Sequence, residues 1–407
     1  MLPDVRSHDG ATVTADDVAT LIRDQHREDP PAGLMDIVRV EAVDHARLRI
    51  HLREPSSLLL EALTLTLSVP AGAFSPGSED IEPTSSPTLP ANRASGRAPT
   101  SVDRVIFRRY ETPRAAWSAL MRGDIDVLHE VSGDARSFLE RTSGIEVHPF
   151  LRPFVITLGL NVKHPALRHR DVRRALNHGV DRQEVIAQDF GGHGLAAATH
   201  VWPRHWAADA SRQPHAFDPA LARRLLDGAG LHRVKAADGR VSRLRLSCLV
   251  SPDVPRLERV ALRVRRAYAE IGVELEFEVV DQQSLAERLA AGRFETFLLP
   301  VMAGHGPNFL YQTWGRHSPD RPFTHGYDAA APAAEALRRA HTDEQVRTSL
   351  QALQHVLYDD PPAVFLVWEE TARAVGRRFV VPPSPGRDIL RTLAQWRPQP
   401  PPAGELP

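Results

Sequence analysis

Residues 255–280 read PRLERVALRVRRAYAEIGVELEFEVV. In the first part Leu257, Val260, Val264, Tyr268 and Ile271 recur near the 3.6-residue spacing that gathers apolar side chains on one helix face. Gly272 then stops the helix, since glycine accepts the left-handed backbone that a helix end asks for. Directly afterwards Val273, Leu275, Phe277 and Val279 alternate with Glu274, Glu276 and Glu278, the period-two pattern of a strand with one buried face. This change of period within one run predicts a helix folded back onto a strand. The apolar run from Leu244 to Val250 precedes it, and a helix from Ser284 to Ala291 and a strand from Phe294 to Val301 follow, so the unit extends to a βαβαβ-like lobe.

Upstream, the same alternation of strand and helix recurs. Asp218-Pro219 opens a helix closed by Gly230, with an acidic cap and a proline in the first turn. Asp181 with Glu184 three positions on forms a capping box, preceded by a helix from Asp171 to about Val180 and by the apolar strand Phe154 to Leu160. Nearer the start come the strand Val105 to Phe107, a helix from Ala115 to Arg122 ended by Gly123, and the strand Ile125 to Val127. Thr14 and Asp17 cap a first amphipathic helix, and Val38 and Val40, then Leu48, Ile50 and Leu52, alternate across a turn at Asp44-His45 as an antiparallel ribbon. Downstream, a helix from Thr342 to Leu357 and a strand from Ala363 to Trp368 lead into a proline-rich tail that reads as loop and extended chain. The pattern is α/β.

At 407 residues the chain is too long for one core and divides into two or three domains. Lys and Arg total 50 against 51 Asp and Glu, with no basic patch interleaved with aromatics, which argues against a nucleic-acid partner. The single cysteine, Cys248, lies in an apolar run and reads as buried. No window reaches the roughly 18 apolar residues of a membrane span, and residues 1–9 lack the apolar core of a secretory signal. Phosphate-binding loops, the paired-histidine zinc helix, the serine elbow and paired cysteines are all absent. Of the 19 histidines, His164 and His169, His200 and His205, and the isolated His305 and His325 have no specific ligand spacing and read as solvated or loop residues. Asp126, Asp181 and Asp218 sit at turns or caps and read as structural. No catalytic residue, metal or cofactor is therefore expected.

Several short motifs, in order along nearly the whole chain, resemble the family 5 bacterial extracellular solute-binding proteins, which serve oligopeptide, dipeptide and nickel ABC transporters. They are His8-Asp9-Gly10 with Thr14-Ala15-Asp16-Asp17-Val18; Leu52-Arg53-Glu54-Pro55; Gly123-Asp124-Ile125-Asp126; Asp171-Val172-Arg173-Arg174-Ala175-Leu176-Asn177 with Asp181-Arg182; Asp218-Pro219; Gly326-Tyr327; and Asp360-Pro361-Pro362. The resemblance implies a two-lobed periplasmic-binding-protein-like fold of the class II type, in which a hinge closes on a ligand and the closed form docks on a permease. It further implies a division into residues 1–100, the remnant of a reduced small extra domain; 101–157 with 376–407, an incomplete first lobe; and 158–375, the second lobe. Relative to the family pattern the start is expected to be truncated, and between Pro70 and Gly96 a proline- and serine-rich stretch replaces the usual Gly-Thr-Gly-rich segment.

The function implied is the substrate-binding component of an ABC transporter, capturing a peptide or other small solute for membrane permease subunits. A periplasmic or cell-envelope location and a monomeric state go with it. Two alternatives use the same fold: an intracellular ligand-sensing regulator, for which the chain lacks the usual DNA-binding helical module, and a degenerate paralogue without a working cleft. Candidate ligand platforms are Trp202 and Trp206 in a proline-flanked loop; Met302, His305, Asn308, Tyr311 and Trp314 in and after the position of the family's acidic anchor loop; and Trp368 on the strand leading to the hinge. At that anchor position the family places an Asp, whereas this chain has Gly304 and no carboxylate. The resemblance then implies a ligand end that is neutral or anionic there, met by His305 and Asn308, with Gly304→Asp restoring an amine anchor.

Overall fold

The computed structural model describes residues 12–25, 32–66, 88–90, 100–131, 133–235, 239, 241–252, 255–315 and 326–399. The His8-Asp9-Gly10 motif, His325 and most of the stretch between Pro70 and Gly96 lie outside these.

A small unit opens the chain. In helix α1 (Ala15–Gln25) the capping pair forms: the Thr14 backbone N–H donates to the Asp17 carboxylate at 2.8 Å and the Asp17 N–H to the Thr14 hydroxyl at 3.3 Å. Strands β1 (Ile37–Asp44) and β2 (Arg47–Leu52) pair antiparallel, the Asp44 carboxylate accepting the Ala46 and Arg47 amides across the turn. Val18, Ala19 and Ile22 of α1 pack on Ile37 and Val40. The leucine-rich segment behind them is a helix, α2 (Leu59–Thr66), and its neighbour Leu58 is buried not here but among the aromatics of a distant core. A buried ion pair between Asp36 and Arg338 ties the unit to the same neighbour. Strands β3 (Thr88–Pro90) and β4 (Arg104–Ile106) form a separate antiparallel pair.

Helix α3 (Pro113–Arg122) begins one turn-step earlier than its apolar spacing suggests, because Thr112 caps it and Pro113 suits the first turn; Gly123 ends it at φ 76°. With β5 (Val127–Leu128) and α4 (Gly133–Leu139) it builds one core around Leu120, Leu128, Leu139 and Ile145.

Strand β6 (Ile145–Leu160) follows, at 16 residues far longer than its apolar segment. Its first half pairs within the sheet only with one neighbour, so Pro149 costs no ladder hydrogen bond on its open side, and the apolar pattern there is diluted by partial exposure. Beyond it come α5 (Arg170–His178), α6 (Arg182–Asp189) capped by Asp181, β7 (Gly194–Ala196), α7 (Pro219–Gly228) capped by Asp218, and the short pair β8 (Val234–Lys235) and β9 (Val241–Ser242). The decisive run then folds as its periods predict: β10 (Leu244–Val250), α8 (Pro255–Glu270), β11 (Val273–Val279), α9 (Gln282–Ala290) and β12 (Thr296–Met302), with Gly272 at φ 84°. Three more helices, α10 (Pro307–Trp314), α11 (Ala331–Arg339) and α12 (Asp343–Asp359), precede the strand β13 (Ala363–Gly376).

The main sheet has the order β11-β10-β12-β6-β13-β5, with β7 on β13. β10 is parallel to both its neighbours, while β6 and β13 are antiparallel and run together over nearly their whole length. Of the boundaries implied by the resemblance, 157 falls inside β6 and 376 on the last residue of β13. Their ladder slips in register between Trp368 and Glu370: Val155 opposes Trp368, but Leu151 opposes Glu370, so Arg152-Pro153-Phe154 bulge out. The chain past β13 is not simply extended. β14 (Phe379–Val380) pairs with β15 (Arg397–Pro398), and a 3-10 helix over Ile389–Gln395 lets Ile389 and Trp396 cover Val375.

Candidate functional site

Where the two long strands slip past each other, a cavity of about 690 Å³ opens. One side is given by Glu130 and by Arg136 of α4; the floor by Arg152 and Phe154 of β6 and Glu369 and Glu370 of β13; the other side by Phe190, His193, Arg256 and Arg259. Successive residues of a regular strand face opposite ways. The slip breaks that alternation, and Glu369 and Glu370 both line the cavity.

Glu369, only 9% exposed, is held by two guanidiniums: Arg256 from α8, and Arg152 from β6 at 3.4 Å. Each of these arginines lies over an aromatic ring, Arg256 over Phe190 at 5.3 Å and Arg152 over Phe154 at 5.7 Å. Glu370 accepts from Arg136 at 2.8 Å, and Arg136 also donates to Glu140 at 3.0 Å. His193 Nδ1 stands 3.7 Å from the Glu370 carboxylate. Asp189 is buried and spent on Arg263, at 2.6 and 3.2 Å. Such a polar, charged hollow can bind and orient a polar solute. Among the described residues no group of three or more His, Cys, Asp or Glu is placed to hold a metal ion, and no helix is long and apolar enough to cross a membrane.

The aromatic candidates lie elsewhere, and none of them lines this cavity. Trp368, 1% exposed, packs edge-to-face with Trp202 at 5.3 Å, and Trp202 in turn carries His305 at 4.7 Å. Only His305 of these three is exposed; partial desolvation of its ring against Trp202, with Arg391 and Arg387 nearby, holds its pKa below the usual value. Met302 is exposed at the end of β12 opposite Phe154. Trp206 is 54% exposed, stacked on His205 and facing the guanidinium of Arg347 at 5.4 Å. Asn308, Tyr311 and Trp314 are not in a loop but on α10, which buries them. Tyr311 donates to Glu335 at 3.0 Å and Trp314 to His200 at 3.1 Å, a histidine that burial keeps neutral with a pKa of about 4.

Two expectations at the anchor loop are corrected. Gly304 has φ 62°, and a Cβ there would stand 2.1 Å from the Phe309 ring, so an Asp cannot simply be installed. Nor is the loop without a carboxylate: Glu61, from α2, accepts the Asn308 amide at 2.9 Å, and burial raises its pKa. Sequence reasoning missed the cavity residues, although one signal was present: two adjacent acids, Glu369 and Glu370, interrupt a strand that is otherwise apolar from Ala363 to Trp368.

Comparison with known proteins sets this geometry in context. Residues 3–321 match the family described as bacterial extracellular solute-binding proteins, family 5 Middle. The chain is 24% identical over 280 residues to a putative ABC transporter peptide-binding protein of Brucella ovis, covering 61% of this chain and 50% of that protein. It is 26% identical over 209 residues to di/tripeptide-binding protein 1 of Pseudomonas aeruginosa, covering 50% of this chain and 38% of that one. The chain thus spans half or less of the length of these relatives. Among solved structures, NikA from Brucella suis in complex with Fe(III)-EDTA superposes with a TM-score of 0.83 at 18% identity, over 97% of this chain and 86% of that one. The oligopeptide-binding protein AppA from Bacillus subtilis, in complex with a nonapeptide, gives 0.75 at 16% identity over 97% and 86%. These likenesses establish the two-lobed binding-protein fold.

Proposed function

The chain belongs to the family 5 bacterial extracellular solute-binding proteins, and from that premise we propose that it captures a small solute, such as a peptide, between its lobes for delivery to the permease subunits of an ABC transporter. The observation that carries this reading is the cavity at the strand crossing, with side chains of both proposed lobes in its lining. A ligand that touches both sides at once biases a hinge toward closure, because its contacts are complete only in the closed form. In this reading the small unit is residues 12–66, the first lobe 101–151 with 370–399, and the second lobe 154–368, with the hinge at the register slip. The protein acts in the cell envelope as a monomer, catalyses no reaction on its ligand, and needs no metal, cofactor or nucleic acid. Of the candidate platforms, Met302, His305 and Trp206 are the exposed ones, and Met302, opposite Phe154, is proposed to flank the opening, while Trp202 and Trp368 brace it from behind.

A thermal-melting screen of the chain against di- and oligopeptides, sugars and nickel tests the reading. A ligand present at about 100 times its Kd should stabilise the protein by about 2.7 kcal/mol. Silence across the whole panel, with small-angle scattering that shows no compaction, would refute capture.

A further inference from the structure

We infer that the outer face of the β1–β2 ribbon docks on an anionic lipid surface. This goes beyond solute capture and does not depend on what fills the cavity. Residues 47–53 read RLRIHLR and alternate strictly. Leu48, Ile50 and Leu52 turn toward the small core under α1, while Arg47, Arg49, His51 and Arg53 all stand exposed on the other side. β1 adds the exposed Arg39, directly opposite His51. Against these four arginines the ribbon has two carboxylates, Glu41 and Asp44. Glu41 is shared by Arg39, by Arg49 at 3.6 Å and by His51 at 3.0 Å; Asp44 takes Arg47 at 2.6 Å; and Arg53 has no ion pair among the described residues. The acids also lie lower, with side chains 25% and 33% exposed where those of Arg39, Arg47 and Arg49 are 61–77% exposed. Guanidiniums are therefore what an approaching surface meets first.

The spacing narrows the partner. Cations on alternate residues of a strand lie about 7 Å apart, close enough to repel one another, so the row works against the ribbon unless something anionic covers it. Four such positions run about 20 Å along β2, and one small anion can touch two neighbours at most; a plane of many anions matches the whole row. No Trp, Tyr or Phe stands in residues 37–53 on which a base could stack or a protein interface could anchor, which sets nucleic acid and an acidic protein behind a layer of phosphate headgroups. Val43, exposed near the turn, adds an apolar contact that such a layer accepts.

The test is co-sedimentation of the full chain with phosphatidylcholine vesicles, with and without about one-third phosphatidylglycerol, in about 20 mM salt. Four arginines less two acids leave a surplus of two, which at about 5-fold each gives about a 25-fold preference for the anionic vesicles, fading by about 300 mM salt. Arg49→Gln should weaken binding to the anionic vesicles by about 5-fold and Glu41→Gln should strengthen it by about as much, with binding to the neutral ones unchanged in both. The gain from Glu41→Gln cannot come from a misfolded ribbon. Equal binding to the two vesicles, or a preference that neither substitution moves, overturns the assignment. Tighter binding to soluble polyglutamate than to the anionic vesicles also overturns it, by giving the face to an acidic protein. Release by glycerol phosphate at matched ionic strength does so too, because a single phosphate would then suffice.

Discussion

Arg173 offers a measurement of how firmly the second lobe is built. Its side chain is buried on α5 and donates to three backbone carbonyls, Leu167 at 2.6 Å, Pro361 at 2.8 Å and Arg168 at 3.0 Å, besides pairing with Asp360. Arg173→Met keeps the apolar stem and deletes the donors. Three carbonyls then lose their partner in or near the interior, at about 1 kcal/mol each when each keeps some other contact. The Asp360 carboxylate is 30% exposed and can turn to water, so the lost ion pair adds only about 0.5–1 kcal/mol. The sum is a destabilisation of about 3–5 kcal/mol, which should show as a large drop in the urea midpoint at an unchanged slope. Arg173→Lys should recover little, because a compact ammonium cannot reach oxygens spread around a planar fork. Ligand affinity should hold in the surviving native fraction, since Arg173 pins the start of β13 and the cavity lies further along that strand. A midpoint shift worth under about 1 kcal/mol would refute the reasoning, as it would mean that water replaces the guanidinium freely.

Two further outcomes are expected. Glu61 has a pKa raised by burial above its ordinary 4.5, so its contribution to stability is present below that value and is lost as pH rises through the raised one; urea midpoints of Glu61→Gln should exceed those of the parent by a margin that widens from pH 4 to pH 8. Gly304→Ala should cost about 1–3 kcal/mol in thermal melting, from the left-handed backbone and the Phe309 contact together, and a neutral result would mean that the loop relaxes.

Periodicity exposed most of the proposed second lobe, because its strands and helices bury a whole face and their residues are chosen for it, as in Leu257 to Leu275; Val279, at the end of β11, is exposed instead. It failed where burial is shared or local. The first half of β6 is only partly covered and carries Pro149, with Pro153 just beyond it, so nothing in its pattern separates it from a loop. Helices α10 and α11 are short, and α10 opens on Gly306-Pro307, which reads as a turn even though proline suits the first turn of a helix. The cavity was hidden for a different reason. Its residues come from α4, β6, α8 and β13, and only the register slip, which no local pattern reveals, turns Glu369 and Glu370 the same way. The aromatic candidates are the more visible residues in the sequence, yet Trp202, Tyr311, Trp314 and Trp368 all pack into one core.

The pairing of Val155 with Trp368 has one more consequence. It places the two ends of the proposed second lobe side by side, so in that division the lobe is a continuous insertion and can close on itself as soon as its last strand has been made. The first lobe cannot, because its β5 and the first half of β6 wait for residues 370–376 to pair with and for Trp396 to cover them. During synthesis from the N-terminus the second lobe should therefore fold first and act as the template that brings the two halves of the first together. A ribosome-bound chain halted once residue 368 has left the exit tunnel should already protect the Leu257 to Val279 unit from protease, while the segment from Val102 to Leu139 remains open to cleavage.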